Sequence, residues 1–413
     1  MTVNLPTPPA RLRAFVLIAF FCALGLGEGL SQGLLVAVLV TALWAGVSER
    51  FVRLRELWVL WPVRLLAAFC LWHMAVAPFA PFPSHALHSA GLLLNFAGLL
   101  AIPALLTASE EPVAVTALVV GVAVSAAYGV AQYFFGLSFG AELFGVSPSR
   151  WQVPVPNDPT HFVASGFFYN RLKLAHVLVS VVLFAGALLS GLTRLRKQVL
   201  SVLLAVACAA LLLTFARAAV FALALAAIVT LVVRARTRGA RVGWPVVATL
   251  ALIVVLGAGV AWLVPAVRLR LSSAFSASSY DDRLFLWARA KEIIHDYPWF
   301  GVGWHNYAKI CPLYYDRVDA AFVMRTEAHN QFLTIWAEGG PMALLLWLGF
   351  LLTLGRELVR RLVTSPPAAG AFAVLVAMMG LSFLHDVFFH PIVTVTVFAL
   401  FGWGLMKRPR AAE

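Results

Sequence analysis

Residues 281–307 read DDRLFLWARAKEIIHDYPWFGVGWHNY, and residues 327–341 read EAHNQFLTIWAEGGP. Together they form one long polar insertion in a chain that is otherwise hydrophobic, and they end where hydrophobic sequence resumes. The insertion brings a histidine, an asparagine and several arginines to that boundary. We therefore expect chemistry at a membrane surface, on a substrate held partly in lipid.

The composition places the rest of the chain in a membrane. Of its 413 residues, 62% are hydrophobic and 12% are charged, and the mean hydropathy is +0.90, which leaves too little polar surface for a soluble globule. Apolar blocks recur without the alternation of barrel strands, so the spans should be helices. We predict an all-α polytopic membrane protein with about twelve spans, at 14–30, 33–47, 57–77, 89–106, 113–135, 167–190, 199–215, 218–233, 244–265, 331–353, 368–385 and 390–406.

The distribution of arginine and lysine predicts the orientation. In the twelve-span arrangement most basic clusters fall on one side, which should be the cytoplasm and should hold both termini. The formal charge of +13 is therefore explained by topology and lipid headgroups and does not imply nucleic acid. A second basic set falls on the outer side, where topology does not require it, and predicts an anionic ligand there: Arg150, Arg171, Lys173, Arg217, Arg268, Arg270, Arg283, Arg289, Lys291, Lys309, Arg317 and Arg325.

The chain is interpreted as a single transmembrane helical domain, 1–413, with two long outer loops. Loop 136–166 is rich in proline and should be extended and irregular, whereas loop 266–330 should contain an amphipathic helix. That helix should begin near Ser278 or Ser279 and end before Pro298, with Leu284, Trp287 and Ile294 near one face. The four cysteines form no disulfide framework or metal-binding spacing.

His329 is the first candidate for catalysis, because it lies where the outer loop meets the tenth span. Imidazole titrates near pH 6.5 and can take a proton from a hydroxyl. The alternative is a histidine that only hydrogen-bonds a helix end.

Arg217 and Arg283 are candidate anion-binding residues. Arg217 lies in TFARAAVF (214–221) at the outer turn between two spans, where a guanidinium suits phosphate oxygens but could also reach a lipid headgroup. Arg283 is placed in the first turn of the loop helix, where backbone N–H groups also favour an anion. The alternative for Arg283 is an ion pair with Asp281 or Asp282.

Several other polar residues are candidates for supporting roles. GFFYNRLKLAH (166–176) contains Arg171, and FLHDVFFHP (383–391) contains Asp386 between two histidines. Histidine and aspartate could form an orienting pair, although cap and turn roles are equally open. Asp281 and Asp282 are explained as capping residues rather than metal ligands, and no glycine-rich nucleotide loop is present. The segment from Glu338 to Pro341 predicts a kink.

Three of these segments, TFARAAVF, the 281–307 run and EAHNQFLTIWAEGGPMALL (327–345), resemble the O-antigen ligases and their relatives, with GFFYNRLKLAH as a weaker fourth segment. The resemblance implies a GT-C-like glycosyltransferase architecture. It also implies transfer of O-antigen from an undecaprenyl diphosphate donor to a lipid A-core acceptor, at the periplasmic face of the bacterial inner membrane. It makes His329 the base and Arg217 and Arg283 the diphosphate contacts, and Asn330 and Gly340 fit the family's pattern of histidine, amide and later glycine. Arg171 and Asp386 are supporting candidates from their own sequence context. No metal or nucleotide cofactor is implied.

Two other classes of function remain open from the sequence. An O-antigen polymerase or a protein O-oligosaccharyltransferase would use the same donor with another acceptor. A transporter of an anionic lipid or solute would use the outer arginines as binding sites, but transporters usually place ionisable residues near mid-membrane.

Overall fold

A computed structural model describes residues 7–49, 51–139, 152–155, 158–239, 278–315 and 326–406. Within these ranges, eight helices are long and apolar enough to cross a membrane. They are Glu28–Ser48, Trp61–Phe79, Pro83–Leu105, Glu111–Phe135, Arg171–Gly191, Arg194–Leu213, Arg217–Thr237 and Gln331–Arg361, and two shorter apolar helices, Pro366–Ser382 and Pro391–Gly404, follow. The predicted class, an all-α polytopic membrane protein, is confirmed.

The α-helices are numbered along the chain. They are α1 (Ala10–Ala23), α2 (Glu28–Ser48), α3 (Val52–Trp58), α4 (Trp61–Val76), α5 (Pro83–Ser89), α6 (Gly98–Leu105), α7 (Glu111–Phe135), α8 (Arg171–Leu188), α9 (Arg194–Leu213), α10 (Arg217–Thr237), α11 (Ser278–Asp296), α12 (Tyr307–Ile310), α13 (Gln331–Arg361), α14 (Pro366–Ser382) and α15 (Pro391–Gly404). Short 3-10 segments extend or join some of these helices, so the span Trp61–Phe79 contains α4, Pro83–Leu105 contains α5 and α6, and Arg171–Gly191 contains α8. Two short antiparallel strands, β1 (Pro154–Val155) and β2 (Asp158–Phe162), lie in the proline-rich loop.

Most predicted spans agree with these helices, but the first, 14–30, runs past the end of α1 at Ala23 into the start of α2, and α1 is not among the spanning helices. Each predicted span in the described ranges coincides with most of a helix. The span at 244–265 lies outside the described residues, so the total of twelve stays a prediction. The helix predicted to begin near Ser278 does begin there, and it ends at Asp296, before Pro298.

Local sequence signals explain where several helices begin. The side chain of Asn170 accepts a hydrogen bond from the backbone N–H of Leu172 at the start of α8. Asn330 does the same for Phe332 and Leu333 at the start of α13, and Ser365 for Ala368 at the start of α14. Each cap satisfies N–H groups that a helix leaves without an intrahelical partner.

Helix packing brings several helix ends together around His329. Helix α13 packs against α4 and α14, and α14 packs against α8, α10 and α15. Because α13 and α14 run in opposite directions, the start of α13 lies beside the end of α14. We call this region the His329 end of the bundle. The helix ends on the far side carry basic residues: Arg194, Arg234, Arg236, Arg360 and Arg361. Which side faces the cytoplasm stays a prediction.

The kink predicted in the tenth span is present in α13. Gly340 has φ 70°, outside the helical region, and Pro341 follows it. Proline has no N–H, so it cannot bond to the carbonyl of Ala337 one turn earlier. The break instead exposes carbonyls that accept hydrogen bonds from the backbone of Val302 (2.8 Å), the backbone of Gly303 (2.8 Å) and the indole of Trp72 (2.7 Å). The outer loop is thereby attached to the middle of a spanning helix.

A small hydrophobic core outside the main bundle supports this loop. Its buried residues include Ala290, Ile293, Cys311 and Ala328, and burial raises the pKa of the Cys311 thiol to about 12. Helix α11 contributes through a different face from the predicted one. Ala290 and Ile293 are fully buried, whereas Leu284 is 58% exposed.

Candidate functional site

His329 is the last residue of the outer loop and comes directly before Asn330, the N-cap of α13. Its φ is 50°, a left-handed conformation that costs a non-glycine residue free energy. The backbone N–H donates to Oδ2 of Asp386 at 3.1 Å, and the side chain is 24% exposed. A histidine held in an unfavourable backbone conformation and still partly open to solvent is well placed for a reactive role.

Asp386 is buried and fixes this backbone conformation. Its other oxygen, Oδ1, accepts from the hydroxyl of Thr334 at 2.8 Å. Burial raises the pKa of the Asp386 carboxyl to about 7, and the Glu327 charge acts in the same direction, while hydrogen bonds from Thr334 and the backbone lower it. The orienting pair that the sequence left open is therefore a contact between this carboxylate and the main chain of His329.

Glu327 is the second carboxylate at the site, and the sequence alone did not indicate it. Its Oε2 atom lies 3.5 Å from Nδ1 of His329. One nitrogen of His329 and one carboxylate oxygen from each of Glu327 and Asp386 lie within 4.8 Å of one another. Burial raises the pKa of the Glu327 carboxyl, and the positive charge of Lys173 lowers it.

A cavity of about 120 Å³ adjoins these carboxylates. Its wall combines acidic, histidine and hydroxyl side chains, so it can hold a polar group such as a sugar hydroxyl. The lining residues include His305, Thr326, Glu327, Thr334, Glu338, Asp386 and Phe389. His329 does not line this cavity, but the two carboxylates that it contacts do.

The other histidines near the site are neutral at physiological pH. The His385 ring lies 6.0 Å from the ring of His329 and 5.5 Å from that of His176. Burial lowers the pKa of His385 well below its usual value, that of His305 to about 4 and that of His390 to about 3. Positive charge for binding an anion must therefore come from arginine and lysine side chains.

The structure places the predicted arginines at the His329 end of the bundle. Arg217 is the first residue of α10, and Arg171 donates to the carbonyl of Thr214 at 3.1 Å, which ties the start of α8 to the turn before α10. Arg283 is close enough to His385 for its charge to lower the pKa of that histidine. Its position in the helix was predicted wrongly. Because α11 begins at Ser278, Arg283 lies in the second turn, away from the N–H groups of the first.

Lys173 adds a buried positive charge at the same end. It is only 2% exposed, and its amino group donates to Oε2 of Glu28 at 2.5 Å and to the hydroxyl of Tyr169 at 2.7 Å. A buried lysine needs such partners, because removing its charge from water is costly. It connects α8 to the start of α2 beside the site.

Glu338 is another residue whose role the sequence did not reveal. Its carboxylate accepts from the backbone N–H of Tyr307 at 3.1 Å and also hydrogen-bonds the backbone of His305. Together with the kink carbonyls, this carboxylate holds the 301–307 loop against α13. We call this set of contacts the loop clamp.

An apolar groove of about 410 Å³ begins beside Asn330 and follows α13. Lys291 and Asn330 are its polar members, and the remaining lining is apolar and aromatic: Trp287, Phe332, Leu333, Trp336, Leu344, Leu348 and Phe383. Its composition suits a hydrocarbon chain whose polar end lies near His329. The capping aspartates predicted at 281 and 282 have side chains outside the described residues.

The fold and this site define a multi-pass helical membrane protein with a histidine and carboxylate cluster at one end of the bundle. Residues 200–348 match the family model described as O-antigen ligase, a stretch that contains Arg217, Arg283, His329 and Asn330. This match confirms the resemblance to O-antigen ligases that the motifs predicted, and it covers residues 200–348 of the chain. No curated protein matches it significantly.

Proposed function

We propose that this protein is an O-antigen ligase that transfers a glycan from undecaprenyl diphosphate to the lipid A-core oligosaccharide. The transfer takes place at the periplasmic face of the inner membrane and needs no metal or nucleotide. The observation that carries the proposal is the position of His329 between two carboxylates, beside a polar cavity and at the start of an apolar groove. The family match supports the general class of enzyme.

The proposed reaction is a single displacement. The acceptor hydroxyl gives its proton to His329 as its oxygen forms a bond to the anomeric carbon. The bond from that carbon to the diphosphate oxygen breaks, its electron pair leaves with the diphosphate, and the anomeric configuration inverts. Arg217 and Arg283 stabilise the charge that develops on the leaving group, a contribution commonly worth several kcal/mol. The diphosphate linkage supplies the driving force.

The groove would bind the polyprenyl chain of the donor, and the arginines would bind its diphosphate. The polyprenyl chain would lie along the apolar surface of α13, with the diphosphate at the His329 end. Burial of a long hydrocarbon in such a groove gains little over lipid, so the groove mainly orients the donor. The sugar at the end of the donor would then reach the cavity beside His329.

The direct test offers purified protein a polyprenyl-diphosphate glycan and lipid A-core in detergent, with EDTA present and nucleotides omitted. We expect glycosylated lipid A-core. Two parallel reactions replace lipid A-core by a second donor glycan or by pilin as the acceptor. Product only with the donor glycan would identify a polymerase, and product only with pilin would identify a protein O-oligosaccharyltransferase. Failure of all three transfers, with donor binding retained, would support a transporter. Loss of transfer in EDTA would contradict metal independence.

Replacing either proposed diphosphate contact should weaken use of the donor. For Arg217→Ala and Arg283→Ala we expect the donor KM to rise about 10- to 100-fold, because a hydrogen bond to a charged group contributes roughly 1.5–3 kcal/mol. Lysine at either position should restore only part of the affinity, since it lacks the planar fork. Steady-state kinetics over a range of donor concentrations measures this effect.

Arg194→Ala is the matched control, because Arg194 is an exposed residue at the start of α9, on the side of the bundle opposite His329. Its kinetics should equal those of the wild type. Wild-type donor KM in both Arg217→Ala and Arg283→Ala would remove the arginines from the mechanism.

A further inference from the structure

The ring of His329 needs an orienting group that Asp386 does not supply. Both oxygens of Asp386 already accept hydrogen bonds, Oδ2 from the backbone N–H of His329 and Oδ1 from the hydroxyl of Thr334. These bonds fix the main chain at position 329 and the first turn of α13. They act on the main chain of His329 and not on its imidazole ring.

Glu327 is placed to control that rotation. Its Oε2 lies 3.5 Å from Nδ1 of His329 in an ion-pair contact, and hydrogen bonds at catalytic sites often tighten into good geometry only when substrate is bound. Ala328, between the two residues, is fully buried in the small outer core. Because Ala328 is packed in this core, the main chain of Glu327 and His329 is held in place on either side of it.

A carboxylate beside Nδ1 has a specific chemical consequence. It accepts a hydrogen bond from the Nδ1 proton, so the neutral ring carries its free lone pair on Nε2. It also stabilises the imidazolium that forms when Nε2 takes a proton. The carboxylate does not itself need to accept a proton.

We propose that Glu327 is the positioning residue for His329, holding the ring so that Nε2 is the basic atom directed at the acceptor. This inference rests on the proposed function and assigns the proton path within it. The acceptor O–H bond breaks, the Nε2–H bond forms, and Glu327 stays ionised throughout. The electron pair of the broken sugar–phosphate bond leaves with the diphosphate.

The charged and titratable groups described near this pair come from α8, from α11 and from the connection between α14 and α15, where His390 is close enough for the charge of His329 to lower its pKa. Lys173 from α8 favours the ionised form of Glu327, and burial opposes it. Asp386 and His385 approach from the connection between α14 and α15. Arg283 from α11 acts on His385. Lys173 is therefore the cationic residue that favours the anionic carboxylate of Glu327, whereas Arg283 acts on the neighbouring His385.

Glu327→Gln tests the inference, because glutamine keeps the shape of the side chain and removes its charge. We expect kcat to fall about 10- to 100-fold, as for other lost orienting carboxylates, with the donor KM within about twofold of the wild type. Without an anionic partner the imidazolium is less stable, so the acidic limb of the kcat–pH profile should move to lower pH. Glu327→Asp should recover part of kcat.

Glu292→Gln is the control variant, since Glu292 pairs with Arg289 on α11, away from the His329 ring, and it should leave both kcat and the pH profile unchanged. Wild-type kcat in Glu327→Gln overturns the inference, and so does a reduced kcat with an unmoved acidic limb. If the wild type transfers glycan and His329→Asn does not, the proposed function stands whatever the result for Glu327.

Discussion

Replacing His329 should abolish glycan transfer while the protein still binds its donor. Removal of a general base typically costs about 10²–10⁴ in rate, and the other histidines described near the site are poor substitutes. His385, His305 and His390 have lowered pKa values because of burial, so they are weaker bases. The measurement is kcat with donor and acceptor both saturating.

The choice of substitution matters, because His329 has a left-handed backbone with φ 50°. Alanine tolerates this conformation poorly, and a loss of activity in His329→Ala could reflect a moved backbone. Asparagine adopts the left-handed region several-fold more often than most residues. His329→Asn therefore preserves the main chain and its bond to Asp386 while removing the base.

His295→Ala provides the matched histidine control. Its side chain is 89% exposed at the end of α11, and the variant should retain wild-type kcat. Thermal unfolding in detergent should be the same for both variants and the wild type. Transfer by His329→Asn at a rate close to that of the wild type would remove the base from the proposal.

Gly340→Ala should destabilise the fold strongly, although it adds only one methyl group. A Cβ atom at this position would overlap the carbonyl oxygen of Trp299, and φ is 70°. With ψ at −172° this is a backbone conformation used almost only by glycine, and it costs alanine about 1–3 kcal/mol. Overpacking against a neighbouring main chain adds about 1–3 kcal/mol. We expect a loss of roughly 2–6 kcal/mol, together with release of the loop clamp.

The measurements for Gly340→Ala are the unfolding temperature in detergent and the rate of transfer, and both should fall. Gly380→Ala is the control, because Gly380 lies in α14 with no positive φ, and no described atom lies within 4 Å of the position that its added methyl group would take. Its unfolding temperature should be unchanged or slightly higher, as helix propensity favours alanine. Equal stability of Gly340→Ala and the wild type would mean that the clamp is dispensable.

The spanning helices could be predicted from sequence because a bilayer imposes one simple requirement on length and hydropathy. Polar residues at the ends of those spans, such as His329 and Arg217, could be found by the same argument. The position of Arg283 was predicted less well, because the first residue of a helix is difficult to locate from capping patterns alone.

Glu327 and Glu338 could not be identified in this way. The amide of Tyr307 meets Glu338 only because α13 is kinked. Glu327 is close to His329 in sequence, but the sequence does not show that its carboxylate turns toward Nδ1 of the ring. The sequence Gly339–Gly340–Pro341 predicted the kink itself. The same sequence did not reveal that the carbonyls freed by the kink would accept hydrogen bonds from the outer loop.

The burial of Cys311 makes the natural chain suitable for mapping its own orientation by chemical labelling. Maleimides react with thiolates, and a buried thiol with a pKa of about 12 supplies almost none. The remaining cysteines, Cys22, Cys70 and Cys208, lie on helices of the bundle. Intact cells that contain the wild-type protein should therefore show little labelling by a membrane-impermeant maleimide. The Leu284→Cys variant should be labelled in intact cells if the loop faces the periplasm, and only after lysis if it faces the cytoplasm.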